Sequence, residues 1–134
     1  MKYLLDTHIL LWALSDDANL PDDARAIISL PENEKYFSVA SVWEITIKHM
    51  KAPEYMPVSG DLIVHYCDLY GILLLPIRQE HVLMLPTLRR SADAPPHNDP
   101  FDRILIAQAK LEGMIFLTHD RLLKDYNESC VRTL

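Results

Sequence analysis

Five acidic side chains stand where the chain is expected to bring carboxylates together. Asp6 directly follows a short apolar run, Asp120 comes just after a later one, and Glu44 lies early in an amphipathic stretch. Asp99 and Asp102 are three residues apart at the start of another such stretch. Several carboxylates within a few ångströms cannot all stay ionised without a counter-charge, and the hard cations Mg²⁺ and Mn²⁺ prefer oxygen ligands. Such a site binds phosphate through the metal, and paired ions can activate water and stabilise a leaving oxygen.

The apolar pattern predicts the strands and helices that must position these acids. Short apolar runs predict strands over residues 2–5, 36–39, 72–75 and 115–117, with a last strand near the carboxyl terminus. Amphipathic stretches predict helices over 9–14, 21–30, 41–51, 61–70, 78–85, 100–112 and 120–126, with a loop over 89–99. Strands that alternate with helices indicate a single α/β domain over residues 1–134. We expect three layers, α/β/α, with a mostly parallel sheet of four or five strands.

This topology predicts that the acids meet. In open parallel sheets the chemistry lies beyond the carboxyl ends of the strands, where helices begin. The two acids after strands and the three near helix starts are therefore expected in one cleft.

Each acid also has a purely structural explanation. Asp99 with Asp102, and Ser41 with Glu44, have the spacing of a capping box, and the two acids after strands could cap the next helices. Taken singly, capping is favoured over catalysis for each acid. Taken together, the balance moves toward a site, because alternating strands and helices bring all these helix starts to one side of the sheet. A carboxylate can also cap a helix and bind a ligand.

Composition excludes several classes of protein. The 134 residues are 49% hydrophobic and 24% charged, which is typical of a globular domain and not of a disordered chain. No apolar run approaches the ~18 residues of a membrane span, and Asp6 interrupts any signal-peptide core. Cys67 and Cys130 form no CxxC motif, so we expect a reduced, cytoplasmic protein with both cysteines packed. The net charge of −6 argues against a protein that simply coats phosphates.

The acidic motifs resemble those of the PIN domain, in particular the VapC-type ribonuclease toxins of bacterial toxin–antitoxin pairs. Four stretches carry the resemblance, in the family's order and spacing: LLDTHILLW (4–12), SVASVWEI (38–45), HNDPFDRILIAQA (97–109) and LTHD (117–120), closed by Asp125 and Tyr126. The resemblance implies a three-layer α/β fold and RNA cleavage that depends on Mg²⁺ or Mn²⁺. It also implies a homodimer, and a cognate antitoxin whose tail enters the active-site groove.

Carried over by position, the catalytic and metal-binding acids are Asp6, Glu44, Asp102 and Asp120. Asp99 is either a further ligand or only an N-cap. Thr7 and Thr118 are supporting residues whose hydroxyls could orient an acid or a water on the metal. The sequence departs from its relatives after Glu44, because residues 49–57 lack the usual glycine-containing turn, which concerns the groove wall rather than the ligands.

Four basic residues are weaker candidates. Arg103 follows a proposed ligand and could pair with Asp99 or contact a phosphate. Lys48, Arg89 and Arg90 are candidates for RNA binding, against the alternative that they are solvated charges.

Aromatic and imidazole side chains near the acids are interpreted as structural. Trp12 and Trp43 are expected to be core or interface anchors rather than base-stacking surfaces. His97 and His119 are expected to be exposed loop histidines rather than contacts to the scissile phosphate.

The sequence therefore predicts a metal-dependent endoribonuclease that acts as a toxin. One alternative is an inactive PIN-like module that binds RNA or an antitoxin. Another is a haloacid-dehalogenase-like phosphatase, which needs a second acid two residues after the strand-end Asp6; His8 stands there instead.

Overall fold

Successive side chains of the strands enter two separate apolar layers. In the computed structural model, which describes residues 1–134, Tyr3 and Leu5 pack in one buried cluster and Leu4 packs in the other. Because neighbouring residues of a strand point to opposite faces, a sheet of such strands must be covered on both sides. The predicted three-layer α/β fold is confirmed.

Five parallel strands form the sheet. They are β1 (Lys2–Leu5), β2 (Glu34–Ser38), β3 (Leu73–Leu75), β4 (Ile115–Thr118) and β5 (Val131–Thr133). Their order across the sheet is β3-β2-β1-β4-β5, with every pairing parallel. β1 is central, and the chain winds away from it toward β2 on one side and β4 on the other. A crevice forms at the carboxyl end of the strands at such a reversal, and Asp6 follows β1 there.

Six helices cover the sheet. They are α1 (Thr7–Leu14), α2 (Asp22–Ser29), α3 (Val39–Lys51), α4 (Gly60–Leu69), α5 (Gln79–Met84) and α6 (Pro100–Glu112), with 3-10 turns over Leu85–Thr87 and Arg121–Asp125. Buried residues of α1, α2 and α4 join the first cluster, and those of α6 join the second. α3 contributes to both, through Ile45 and Ala40. None of these helices has the length and apolar character needed to cross a membrane.

The start of α3 differs from the sequence-based expectation. The helix begins at Val39 rather than Ser41, and its N-cap is Ser38, whose hydroxyl accepts the Ala40 N–H at 2.9 Å. The predicted capping box of Ser41 with Glu44 is therefore wrong. β2 runs straight into α3, so the polar side chain at the end of the strand takes the cap position and Ser41 is buried inside the helix.

Other boundaries shift by a few residues. α1 begins at Thr7 rather than at residue 9, because Asp6 already caps it. The segment predicted as a helix over 120–126 is the 3-10 turn after Asp120.

α6 carries two of the acids, and its ends follow the sequence signals. The Asp99 carboxylate accepts the N–H groups of Phe101 at 2.9 Å and of Asp102 at 3.1 Å. Pro100 occupies the first helical position, where the N–H it lacks would have had no partner. Gly113 ends the helix in the left-handed region, with φ of 67°.

Gly113→Ala is expected to lower the free energy of unfolding by about 1 kcal/mol, because an L side chain resists positive φ. No neighbouring atom lies within 4 Å of a Cβ placed at Gly113, so the cost comes from the backbone alone. Gly113→Asn is the matched control, since asparagine tolerates this conformation better. Urea unfolding of both variants measures the difference, and equal losses would contradict this explanation.

Candidate active site

Five carboxylates surround one cavity at the carboxyl edge of the parallel sheet. The cavity has a volume of about 360 Å³. The residues that line it are Asp6, Thr7, His8, Trp12, Glu44, Lys48, Asp99, Asp102, His119 and Asp120. All five acids that the sequence singled out are present, and Trp12 is the one apolar residue.

Asp6 is buried, and both of its carboxylate oxygens are held. One oxygen accepts the Thr7 backbone N–H at 2.7 Å, which caps α1. The other accepts the Thr118 hydroxyl at 2.6 Å. The Asp6 side chain therefore caps a helix and lines the cavity at the same time.

The two threonines that the sequence proposed as supporting residues make different contacts. Thr118 joins two acids, because its hydroxyl donates to Asp6 and also accepts the Asp120 N–H at 3.0 Å. The Thr7 hydroxyl instead donates to Ser41 at 2.9 Å, which ties α1 to α3. Thr118 thus orients an acid directly, whereas the Thr7 hydroxyl holds the neighbouring helix.

Glu44 lies in the second turn of α3 and forms an ion pair with Lys48 at 2.8 Å. Lys48 therefore brings a positive charge to a cavity wall made largely of acids. Asp120 follows β4, which lies on the other side of β1 from β2 and α3. Its carboxylate caps the 3-10 turn over Arg121–Asp125 by accepting the Leu122 N–H at 2.9 Å.

His97 contacts one of the cavity acids, Asp102, and the interpretation of His97 as an exposed loop residue is wrong. It is 8% exposed, and its Nε2 lies 3.2 Å from Asp102 Oδ2. When Asp102 is ionised, as it would be beside a bound cation, its oxygen accepts from Nε2, and Nδ1 accepts the Tyr126 hydroxyl at 2.8 Å. Arg103 in turn donates to the Tyr126 oxygen at 3.2 Å. A chain of hydrogen bonds from Arg103 through Tyr126 and His97 thus ends on Asp102.

The loop over 89–98 folds onto Tyr126, and this fold explains the burial of His97. The Arg90 guanidinium lies 4.7 Å from the centre of the Tyr126 ring and donates to the carbonyls of Pro95 at 2.6 Å and Leu122 at 3.0 Å. Arg90 therefore holds the loop. Arg89 is exposed, and neither arginine lines the cavity.

Two tryptophans occupy different positions. Trp12 packs against the first core cluster, as expected of a core anchor, but it also lines the cavity, which was not expected. Trp43 is 58% exposed and packs edge-on against Phe101, with ring centres 5.1 Å apart. His119 is exposed, as expected, and lies at the cavity.

Burial and mutual repulsion raise the pKa values of two of the acids. Burial, followed by the negative charges of the other four carboxylates, raises the pKa of Asp102 to about 8. Burial also raises the pKa of Asp6, against the opposing effect of the Thr118 hydrogen bond. Without a cation, the five carboxyl groups of the cavity therefore cannot all be ionised at neutral pH.

The donor set suits a hard divalent cation. The cavity offers five carboxylates against two imidazoles and no thiol, and this excess of oxygen donors favours Mg²⁺ or Mn²⁺ over zinc. No three His, Cys, Asp or Glu side chains are arranged to hold one ion by themselves. Mg²⁺ does not need such a cage, because it binds one or two carboxylates and keeps several waters.

Comparison with known proteins identifies the family and the fold. The family model of the PIN domain matches residues 3–129. VapBC2 from Rickettsia felis, bound to a DNA fragment from its promoter, is 14% identical with a TM-score of 0.70, over 99% of this chain and 98% of that chain. DNA-bound VapBC from Salmonella typhimurium is 13% identical with a TM-score of 0.66, over 99% and 98%. A toxin–antitoxin complex from Klebsiella pneumoniae is 19% identical with a TM-score of 0.59, over 98% and 96%. No curated protein sequence matches the chain.

Proposed function

The chain belongs to the PIN domain family, and on that basis we propose that it is a metal-dependent endoribonuclease and the toxin of a toxin–antitoxin pair. The observation that carries this proposal is the convergence of five carboxylates on one cavity. The raised pKa of Asp102 supports it, because a divalent cation would offset both the burial of this carboxylate and the repulsion from its neighbours, which raise the pKa.

Four acids are proposed to hold one or two Mg²⁺ or Mn²⁺ ions and to be the catalytic residues: Asp6, Glu44, Asp102 and Asp120. Asp99 lines the same cavity and is a fifth candidate, although its Oδ1 already caps α6. The cation, when bound, lowers the pKa of a water molecule and offsets the charge of a phosphodiester. The protein's own part is to hold the oxygens in place, through Thr118 on Asp6 and His97 on Asp102.

An antitoxin is the proposed protein partner. Three of the solved structures of similar fold are two VapBC assemblies and a toxin–antitoxin complex. We further propose that the protein acts as a homodimer in the cytoplasm, where it meets RNA. Light scattering of the purified chain, with and without the antitoxin encoded nearest to it, tests both assemblies.

Chelation tests the enzymatic proposal. The purified protein is incubated with a mixed-sequence RNA in Mn²⁺ and, in parallel, in EDTA. We expect cleavage in Mn²⁺, a loss of at least tenfold in EDTA, and recovery with excess Mn²⁺. Undiminished cleavage in EDTA would reject the metal mechanism.

Two further results would replace the proposal with its alternatives. Binding of Mn²⁺ and RNA without cleavage would favour an inactive binding module. Hydrolysis of p-nitrophenyl phosphate but not of RNA would favour a phosphatase.

A further inference from the structure

Three aromatic rings form one wall of the carboxylate cavity. The centre of the Trp12 ring lies 5.8 Å from that of His8, at an interplanar angle of 40°. It lies 5.7 Å from that of His119, at an angle of 69°. The remaining lining residues are acids, a lysine and a threonine, so this aromatic wall, with both imidazoles tilted against the indole, is the one part of the lining that offers ring surfaces.

The aromatic wall is already held in place. Trp12 is half-buried and packs against the first core cluster, on the helix α1 that Asp6 caps. The His119 ring is fixed by a hydrogen bond from Nδ1 to the Leu134 carbonyl at 2.6 Å, since a carbonyl can only accept. A ring that is fixed before binding loses little conformational entropy when a ligand stacks on it.

We propose that Trp12, flanked by His8 and His119, is the stacking surface for an unpaired nucleobase of the RNA substrate, next to the phosphodiester held at the carboxylates. The inference rests on the proposed function and adds to it a residue that contacts the substrate. A base in a duplex has both faces covered by its neighbours, whereas a base in a single strand can turn out and stack on an aromatic ring.

A nucleobase fits this wall better than an apolar side chain of a protein partner. An apolar side chain needs several apolar neighbours to be buried, and Trp12 is the one such residue in the cavity. A base presents a π-face to the indole and polar edges to the two imidazoles. Its backbone phosphate then lies toward the acids, where a bound cation offsets the repulsion.

The two tryptophans make the contact directly observable. Trp43→Phe leaves Trp12 as the only indole fluorophore, because the chain has two tryptophans. Trp43 does not line the cavity, so the substitution leaves the site intact. This variant is titrated with a mixed-sequence single-stranded oligoribonucleotide in Ca²⁺, under conditions where no cleavage is detected. We expect quenching of Trp12 fluorescence by the single strand and none by the matching duplex at the same concentration.

Kinetics separate stacking from metal binding. Trp12→Leu keeps an apolar side chain against the core but removes the π-face. It is expected to raise the KM for single-stranded RNA about 5- to 150-fold, the range that one base–aromatic stack is worth. Trp12→Phe retains most of the affinity, and Trp43→Leu is the matched control with an unchanged KM. Mn²⁺ affinity measured by calorimetry stays at the unsubstituted value in Trp12→Leu.

The outcomes distinguish the inference from the function on which it rests. An unchanged KM in Trp12→Leu, or no quenching of Trp12 by single-stranded RNA, would overturn the stacking surface while leaving the ribonuclease intact. Quenching by an antitoxin but not by RNA would also overturn it and assign the wall to the protein partner. Failure of the unsubstituted protein to cleave any RNA in Mn²⁺ would contradict the proposed function itself.

Discussion

Asp6→Asn is expected to lower RNA cleavage by on the order of 100- to 1,000-fold while the protein stays folded. Asp6 is buried at the centre of the sheet edge, and its oxygens are oriented by Thr7 and Thr118. Asparagine has nearly the same shape but no charge, so it removes attraction for a cation. Charge stabilisation at a metal site is worth several kcal/mol, and each 1.36 kcal/mol of barrier is about tenfold in rate.

The fold tolerates this change because asparagine is also a good N-cap. The amide oxygen can still accept the Thr7 N–H, and the loss of a buried charge offsets a poorer contact with Thr118. Asp23→Asn, at an exposed position in the first turn of α2, is the matched control. Cleavage rates are compared in Mn²⁺ after circular dichroism has confirmed the fold. Activity of Asp6→Asn within a few-fold of the control would remove Asp6 from the proposed catalytic set.

Asp102→Asn is expected to stabilise the metal-free protein by about 2–3 kcal/mol at pH 9 and to change little at pH 5. The pKa of Asp102 rises from 3.8 to about 8 on folding. Between these values the unfolded chain has released a proton that the folded protein still holds. The unfolded state therefore binds fewer protons, and stability falls as the pH rises through this range.

The asparagine side chain is neutral at every pH, so the Asp102→Asn variant lacks this slope. The expected stabilisation at pH 9 is about half of what the full pKa change would give, because part of the carboxyl group faces solvent and is screened. Urea unfolding in EDTA at pH 5, 7 and 9 measures it, with Asp61→Asn, in the first turn of α4, as the control. Saturating Mn²⁺ should stabilise the unsubstituted protein at pH 9 more than the variant. If the free energy of unfolding changed with pH by the same amount in Asp102→Asn and in the unsubstituted protein, Asp102 would ionise in the folded state without loss of stability.

Much of the fold could be predicted because its signals are local. Alternating apolar runs and amphipathic stretches predict the layers, and Asp99, Pro100 and Gly113 predict both ends of α6. The meeting of the acids follows from topology, since parallel strands with helical crossovers bring their carboxyl ends to one edge. The start of α3 could not be chosen in this way, because Ser38 and Ser41 are equally good local caps.

The site's inner contacts were not predictable, because they join residues distant in the chain. His97 has the sequence surroundings of an exposed loop, and only the packing of residues 89–98 on Tyr126 buries it. Trp12 has the spacing of a core residue, and only the approach of β4 brings His119 beside it.

By itself, the amino-acid sequence determined which oxygen-bearing side chains this protein has and which edge of the sheet they share. Residue type and the alternation of strands with helices along the chain are enough for both. The tertiary structure alone decided how deeply Asp102 is buried, which donor orients each carboxylate and which ring faces the cavity. Burial and long-range hydrogen bonds depend on surfaces that exist only after distant segments have packed together.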